Sequence, residues 1–134
     1  MAPYVQPIAI RFRDIDALDH VNHAVTLTYA ETVRCDWFAA QGWGSMANLP
    51  FIIASAHVEY KAPILKTDPL ELAMWTSKMG TKSWTFTYHV RNSSTGQVYA
   101  TIETVQVGFD YKAKATMALD GPLRAKLEAL TAPA

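Results

Sequence analysis

Three carboxylates lie within six residues near the start of the chain, at Asp14, Asp16 and Asp19. His20 and Asn22 follow them, and the next stretch has the pattern of one long helix. Asn22 is a favoured N-cap residue, because its side-chain oxygen can accept from the free amides of a first helical turn. A helix start also presents unpaired N–H groups and favours negative charge. A carboxylate beside such amides suits acyl transfer, since the carboxylate can attack or activate while the amides stabilise an oxyanion.

The same residues also have a purely structural interpretation. Asp and Asn before a helix are ordinary turn formers and caps, and spacing alone favours capping over catalysis. His20 could orient a carboxylate or bind a carbonyl group, or it could hydrogen-bond the loop in its neutral form. Asn22 could cap the helix and also contact a ligand.

A short strand and a long helix frame this acidic loop. The alternation from Ile8 to Phe12 predicts a strand, preceded by a loose segment from Met1 to Pro7. The stretch from His23 to Gln41 predicts the helix, and its apolar positions are too broad for a surface helix, so we expect it to be mostly buried. Glu31 and Arg34 are three residues apart on this helix and can form an ion pair.

Strands dominate after Gly42, a residue well suited to end the helix. Four long segments show the alternation of half-buried strands: Phe51 to Lys61, Pro69 to Met79, Ser83 to Arg91 and Gln97 to Tyr111. The apolar phase changes half-way along the last of them, which predicts a bulge near Glu103 and Thr104. Pro122 to Leu130 predicts a short terminal helix. A long apolar helix followed by strands with short turns predicts an α+β fold, with the sheet wrapped on the helix.

Composition restricts the function classes further. The 134 residues are 50% hydrophobic and 18% charged, as expected for one folded domain spanning residues 1–134. Twelve basic and twelve acidic residues balance, so nothing indicates nucleic-acid binding. Cys35 is the single cysteine, and with four scattered histidines it predicts neither a disulfide nor a metal site. The sequence has no signal-peptide pattern and no membrane-spanning run, so we expect a cytoplasmic protein without membrane contact.

Three motifs are spaced as in one known family: D-x-D-x-x-x-H-V-N from Asp14 to Asn22 with Tyr29, Glu31 and Arg34 after it, the run from His57 to Pro63, and the run from Gly80 to Ser83. On these motifs the chain from Val5 to Leu130 resembles the hotdog-fold acyl-CoA thioesterases. It is most similar to the branch of 4-hydroxybenzoyl-CoA thioesterase and the YbgC-type enzymes. The first motif is the specific one, and the later two are weak alone.

The resemblance implies a fold, a reaction and a catalytic set. The fold is an antiparallel sheet wrapped around one long central helix. The reaction is hydrolysis of an acyl-CoA to a free acid and CoA, as in lipid metabolism, with no cofactor beyond the CoA of the substrate. In similar enzymes the second Asp of the motif is the catalytic carboxylate, which is Asp16 here, as nucleophile or general base. The implied oxyanion donor is the backbone amide of His23, and His20 and Asn22 complete the candidate set.

The other two acids receive structural roles: Asp14 is expected to shape the loop, and Asp19 to cap or to be solvated. Similar enzymes bind CoA between two subunits, so the resemblance also implies a homo-oligomer, either a dimer or a dimer of dimers (a homotetramer). The implied substrate-binding residues are His57, Val58, Tyr60, Gly80, Thr81, Lys82 and Ser83. Lys61, Lys82 and Arg91 are candidates for the CoA phosphates. Trp43 and Phe51 are candidates to line an acyl tunnel by their position after the helix.

Two departures from the family pattern leave the acyl group open: His23 stands where Asn is common, and Thr26 where relatives usually carry an aromatic residue. An alternative reaction is that of hotdog hydratases and dehydratases acting on acyl-CoA or acyl carrier protein. Those enzymes carry a His five residues after the Asp, whereas Asp16 and His20 are four apart. A second alternative is a non-catalytic acyl-CoA binding module. Acyl carrier protein is also an alternative donor to CoA, and the absence of a G-x-S-x-G motif argues against an α/β-hydrolase.

Overall fold

The computed structural model describes residues 1–43 and 49–134. Within these ranges the strands are β1 (Tyr4–Ile8), β2 (Phe51–Tyr60), β3 (Leu70–Met79), β4 (Ser83–Asn92), β5 (Val98–Asp110) and β6 (Ala115–Thr116). The helices are α1 (Val25–Ala40) and α2 (Gly121–Glu128). The four long predicted strands and both predicted helices are therefore present, with ends that differ by a few residues.

The five longer strands form one antiparallel sheet in the order β1–β3–β4–β5–β2, and β6 pairs with the end of β5. The two edges of this sheet differ. The edge strand β1 has five residues and contains Pro7, which cannot donate to a ladder. The edge strand β2 has ten residues, and no described strand pairs with its outer side. One edge is thus short and blunted while the other is long and open.

The core forms between α1 and the inner face of the sheet. On β4 the side chains of Trp84, Phe86, Tyr88 and Val90 are each at most 1% exposed, which confirms the predicted alternation. Trp37 of α1 meets Phe86 edge to face, with ring centroids 6.0 Å apart. The helix supplies the apolar surface that the sheet wraps around, as expected for the hotdog fold.

Helix α1 ends in a Schellman motif at Gly42. The Trp43 amide donates to the Phe38 carbonyl at 3.1 Å, and the Gly42 amide donates to the Ala39 carbonyl at 3.1 Å. Gly42 has a φ of +105°, which favours glycine, and the Trp43 and Phe38 rings pack with centroids 5.3 Å apart. The prediction that Gly42 ends the helix is confirmed.

The first strand lies earlier in the chain than predicted. Residues Tyr4–Ile8 pair with β3, from Tyr4 opposite Met74 to Ile8 opposite Leu70. Phe12, expected at the end of a strand, begins a single 3-10 turn and is 95% exposed. The prediction was wrong because pairing with a distant strand decides the position of an edge strand, and local alternation does not report that pairing.

The predicted phase change in β5 was also wrong. The inward positions continue unchanged through Ile102, Thr104 and Gln106, all at most 2% exposed. Register shifts occur elsewhere: between Ile53 and Ser55 on β2, between Thr76 and Lys78 on β3, and at the start of β5, where Tyr99 is the extra residue opposite Val90 and Arg91. The polar residues at inward positions suggested a change of face, yet they remain inside the protein because they are hydrogen-bonded there.

These buried polar residues form a chain that begins at α1. Arg34 is 6% exposed and donates to the Tyr88 hydroxyl at 3.0 Å, and this hydroxyl lies 2.8 Å from that of Thr104. The Thr104 hydroxyl donates in turn to the side-chain carbonyl of Gln106. The expected pairing of Arg34 with Glu31 is absent from the described residues, since Arg34 turns into the core while Glu31 stays exposed.

Candidate active site

The predicted catalytic residues lie in a tight loop between β1 and α1. Backbone bridges join Ile15 to Val21 and His20 to Leu65. The Asp16 amide donates to the His20 carbonyl at 2.9 Å. The loop therefore folds back on itself like a small hairpin and sets Asp16 and His20 side by side at its base.

Asp14 is the buried acid of this loop, at 2% exposed. Its Oδ2 accepts from the Tyr29 hydroxyl at 2.6 Å and from the Arg11 amide at 2.9 Å. Burial raises the pKa of Asp14, but these two hydrogen bonds and the Arg11 charge outweigh it and hold the pKa below its ordinary value. Burial and the same hydrogen bond raise the pKa of Tyr29. Asp14 thus shapes the loop, as expected.

We expect Asp14→Asn to lower the free energy of unfolding by about 1–3 kcal/mol near neutral pH, since the hydrogen bonds to a charged acceptor are lost. The folded-state pKa of Asp14 is depressed, so its stabilisation is complete above the ordinary Asp pKa of about 3.9 and is lost as the pH falls through the folded value. Urea unfolding of both proteins from pH 7 to pH 3 measures the difference, which should shrink on acidification. A difference independent of pH would contradict this role.

Asp16 is half-buried, and only one of its oxygens is committed. Its Oδ1 accepts from the Leu18 amide at 2.9 Å. Its Oδ2 has no hydrogen-bond partner among the residues that the structure describes. The Leu18 amide therefore fixes the carboxylate plane and leaves one oxygen to meet a water molecule or a carbonyl carbon.

Asp16, His20 and His23 meet at one cavity of about 260 Å³. Apolar side chains such as Val21 and Ile64 form part of its wall. The structure therefore brings together three of the four predicted catalytic residues. The cavity combines a carboxylate, an imidazole and the start of a helix with an apolar wall, which is a suitable setting for acyl transfer.

The fourth residue, Asn22, organises the turn that leads into α1. Its Oδ1 accepts from the Ala24 amide at 2.9 Å, and its carbonyl accepts from the Val25 amide at 2.9 Å. The helix begins at Val25 with Ala24 at the N-cap position, so the predicted start at His23 is corrected. The shift arises because Asn22 takes the Ala24 amide into a separate turn. Within residues 1–43 and 49–134, the His23 amide has no acceptor.

Comparison with known families identifies the family of this chain. The family model described as the thioesterase-like superfamily matches residues 10–127, which include the loop, α1 and all four long strands. The chain belongs to the thioesterase-like superfamily. It is accordingly a thioester hydrolase.

Individual thioesterases agree with the family match. The long-chain acyl-CoA thioesterase FadM of Escherichia coli K12 is 28% identical over 124 residues, which cover 90% of this chain and 94% of FadM. A thioesterase of Thermus thermophilus, in a crystal structure with coenzyme A and Zn, is 28% identical with a TM-score of 0.84, over 94% of this chain and 92% of that one. Slr0204 of Synechocystis, a 1,4-dihydroxy-2-naphthoyl-CoA thioesterase, has a TM-score of 0.83 over 93% and 95% of the two chains. At 14% identity it supports the fold alone, and together these structures confirm the hotdog fold.

In this thioesterase-like chain, the three predicted binding residues of β2 have different surroundings. Tyr60 lines the cavity beside the acidic loop. Val58 is half-buried and packs against the core. His57 is exposed, with its Nε2 3.6 Å from a Glu59 carboxylate oxygen. One chain therefore brings only Tyr60 of these three to the cavity.

The predicted binding turn, Gly80 to Ser83, lies at the other end of the sheet. Ser83 pairs with Val107, which pairs with Ile52 near the start of β2. Tyr60 is eight residues further along β2, about 26 Å away at 3.3 Å per residue. A single thioesterase-like chain does not bring Gly80, Thr81, Lys82 and Ser83 to the cavity.

The candidate phosphate-binding cations are engaged to different degrees. Arg91 Nε contacts a Glu71 carboxylate oxygen at 2.6 Å, and Lys61 Nζ lies 3.7 Å from one of Glu59. Lys82 is exposed, and no ion pair of the described residues involves it. Lys82 is therefore the candidate whose charge the described protein does not already balance.

The far wall of the cavity was missed by sequence reasoning. Tyr99 and Ala100 from the start of β5 complete it, next to Ile64 after β2. The sequence run that ends at Pro63 could have indicated this wall, because Ile64 follows it directly. Phe51, a candidate tunnel residue, is 6% exposed and packs on Phe38 with ring centroids 5.0 Å apart, and it does not line the Asp16 cavity.

Two further structural findings concern metals and membranes. In the described part of the chain, no group of three or more His, Cys, Asp or Glu residues could hold a metal ion. Neither described helix has the length and apolarity needed to cross a bilayer.

Proposed function

We propose that this thioester hydrolase acts on acyl-CoA, converting acyl-CoA and water to a free acid and CoA. The observation that carries the proposal is the cavity lined by Asp16, His20 and His23, together with a His23 amide that has no acceptor among the described residues. The FadM relative and the CoA-bound Thermus structure support CoA as the donor, ahead of acyl carrier protein.

Asp16 is proposed to attack the thioester carbonyl or to take a proton from an attacking water. In the first route a mixed anhydride forms, CoA leaves as a thiolate, and water then releases the acid and restores the carboxylate. In the second route water adds directly to the carbonyl carbon and its proton passes to Asp16. The adduct then breaks its C–S bond to release the free acid and the CoA thiolate, and the proton leaves Asp16 with the products. Either route needs one carboxylate oxygen free of hydrogen bonds, and Oδ2 is such an oxygen among the described contacts.

The His23 amide is proposed to donate to the carbonyl oxygen as negative charge develops there. Such a donor contributes most when it is fixed before the reaction starts. His20 lines the same cavity and is proposed to orient the substrate carbonyl or Asp16. Asn22 is proposed to act through the turn that it holds, since its side chain already accepts from the Ala24 amide.

The working unit is proposed to be a dimer formed through β2. This strand is an open edge with exposed apolar side chains at Ile52 (36%), Ile53 (42%) and Tyr60 (50%). Long apolar edges of this kind associate unless they are covered. A dimer of dimers would bury further surface and follows the same symmetry rules.

Antiparallel pairing of two β2 strands also gives the Gly80 to Ser83 turn, which is distant from the cavity of its own chain, a way to contact the substrate. A twofold axis near the middle of β2 sets the Phe51 end of one chain beside the Tyr60 end of its partner. The turn from Gly80 to Ser83 lies level with that Phe51 end. The partner's turn would then come level with the Asp16 cavity, where it can contact the CoA portion of the substrate, with Lys82 available for a phosphate.

The direct test is thiol release from a panel of short, long and aromatic acyl-CoAs, alongside the matching acyl carrier protein thioesters. We expect turnover of at least one acyl-CoA, and the preferred chain names the acyl class. Exclusive turnover of carrier-protein thioesters would keep the reaction and change the donor. No turnover on either donor would overturn the proposed function.

A further inference from the structure

The carbonyl of His23 accepts two hydroxyl hydrogen bonds from separate parts of the fold. The Tyr60 hydroxyl, on β2, donates to it at 2.5 Å, and the Thr26 hydroxyl, in the first turn of α1, donates at 2.7 Å. Both side chains also line the Asp16 cavity. We propose that Tyr60 and Thr26 are positioning residues: they hold the peptide between His23 and Ala24, and through the Asn22 turn they keep the His23 N–H in the orientation needed for oxyanion binding, an inference that rests on the proposed function.

The hydrogen bonds of the turn leave one free donor. The Asn22 amide donates to the Asp14 carbonyl at 2.8 Å, and the Asn22 carbonyl accepts from the Val25 amide at 2.9 Å. The Ala24 amide donates to the Asn22 side chain, and the His23 carbonyl accepts from the two hydroxyls. Among the four amides from Asn22 to Val25, that of His23 is the one without a partner within the described residues. A turn this fully bonded leaves that N–H available to a ligand.

The two hydroxyls act on the His23 N–H indirectly, because each peptide bond between the contacts is planar. The N–H points away from the Asn22 carbonyl in the same plane, so whatever fixes that carbonyl fixes the N–H. The Ala24 amide donates to the Asn22 side chain, and it belongs to the same peptide as the His23 carbonyl. The orientation of that peptide therefore sets the direction of the Ala24 N–H that holds Asn22. Tyr60 and Thr26 hold that peptide by its carbonyl. Loss of both hydroxyls would let the peptide between His23 and Ala24 rotate. The Asn22 turn would then loosen, and the His23 N–H would point in a different direction.

The geometry favours positioning over direct action for Tyr60. Its hydroxyl proton is committed to the His23 carbonyl, and its ring meets the His23 imidazole edge to face with centroids 6.2 Å apart. Thr26 is 1% exposed, so its hydroxyl serves the backbone. A threonine at this position can reach the carbonyl one turn back, which an aromatic side chain cannot do. The departure from the family pattern at Thr26 thus acquires a specific role.

The test compares Tyr60→Phe, Thr26→Val and the double variant, with Thr26→Ser as the variant that keeps a hydroxyl. Each single variant should lose about 3- to 10-fold in kcat, since one hydroxyl remains, and the double variant up to about a hundredfold, the scale of one misplaced oxyanion donor. KM should stay unchanged and kcat/KM should fall with kcat, as expected for a transition-state interaction. Thr26→Ser should retain activity. Tyr4→Phe, which removes a tyrosine hydroxyl on the opposite edge strand, is the matched control.

Three kinetic results would overturn the proposal. A raised KM with unchanged kcat in Tyr60→Phe would make Tyr60 a substrate contact. Loss of one limb of the pH–rate profile would make it an acid or base. A double variant as active as wild type would leave the hydroxyls without a role.

Amide resonances provide a readout that does not depend on turnover. In ¹⁵N-labelled protein without substrate, the His23 and Ala24 amide shifts should move in the double variant and stay in place in Tyr4→Phe. Unmoved shifts would contradict a positioning role for the two hydroxyls. If wild type hydrolyses no thioester while these shifts move, the proposed function fails, and the two hydroxyls still hold the backbone at His23.

Discussion

Asp16→Asn should lower turnover of the best acyl-CoA substrate about a hundredfold or more, the loss expected for an essential nucleophile or base. Asn is nearly the same size, and its side-chain oxygen can still accept from the Leu18 amide, so the loop should keep its shape. It cannot attack a carbonyl or take a proton from water. KM should change little, because the cavity wall is untouched. Free thiol release under saturating substrate measures the effect.

Asp19→Asn is the matched control for this loss. Asp19 lies in the same loop, is exposed, and has a φ of +65°, a conformation that Asn tolerates well. The same change of charge therefore occurs three residues away with little strain, and activity should stay within about twofold. Equal losses in both variants would point to loop electrostatics. Turnover that survives Asp16→Asn would keep the reaction and discard the proposed carboxylate.

The sequence brought the candidate catalytic residues to one place because they are close together in the chain. Asp16, His20 and His23 lie within eight residues, and one short loop is enough to bring them to a common cavity. The alternation of β4 was predictable for a similar reason, since each residue of a half-buried strand reports its own face. A sequence pattern predicts the position of a residue correctly where neighbouring residues in the chain determine that position.

The misplaced elements depend on partners far along the chain. β1 is positioned by its ladder with β3, and Thr104 of β5 is hydrogen-bonded by Tyr88 of β4, which Arg34 of the helix bonds in turn. Tyr99, in the cavity wall, is also far along the chain from the acidic loop. Hydrophobic periodicity cannot report a hydrogen bond between distant segments, so a bulge was predicted near Glu103 and Thr104 where β5 continues its alternation.

The proposed dimer should depend on Ile53, and a substitution there should break it without unfolding the chain. Ile53 is 42% exposed on the edge strand, so Ile53→Glu should be tolerated by a single folded chain. Within a paired interface the carboxylate would be buried without a partner, at a cost of about 3–5 kcal/mol. A twofold interface contains the change twice, which weakens association by several powers of ten. Light scattering should show monomers, and acyl-CoA turnover should fall at least about tenfold, because the partner's Gly80 to Ser83 turn is removed.

Val5→Glu is the matched control, since Val5 is also 42% exposed but lies on β1, the short edge with Pro7. It should leave both oligomeric state and activity unchanged. A monomeric, folded Ile53→Glu protein with full turnover would show that one chain holds a complete site. A variant that stays dimeric would place the interface elsewhere. Because Tyr60 belongs to the same strand as Ile53, pairing of β2 would also steady the hydroxyl that holds the His23 carbonyl, so monomers should lose kcat as well as affinity for CoA.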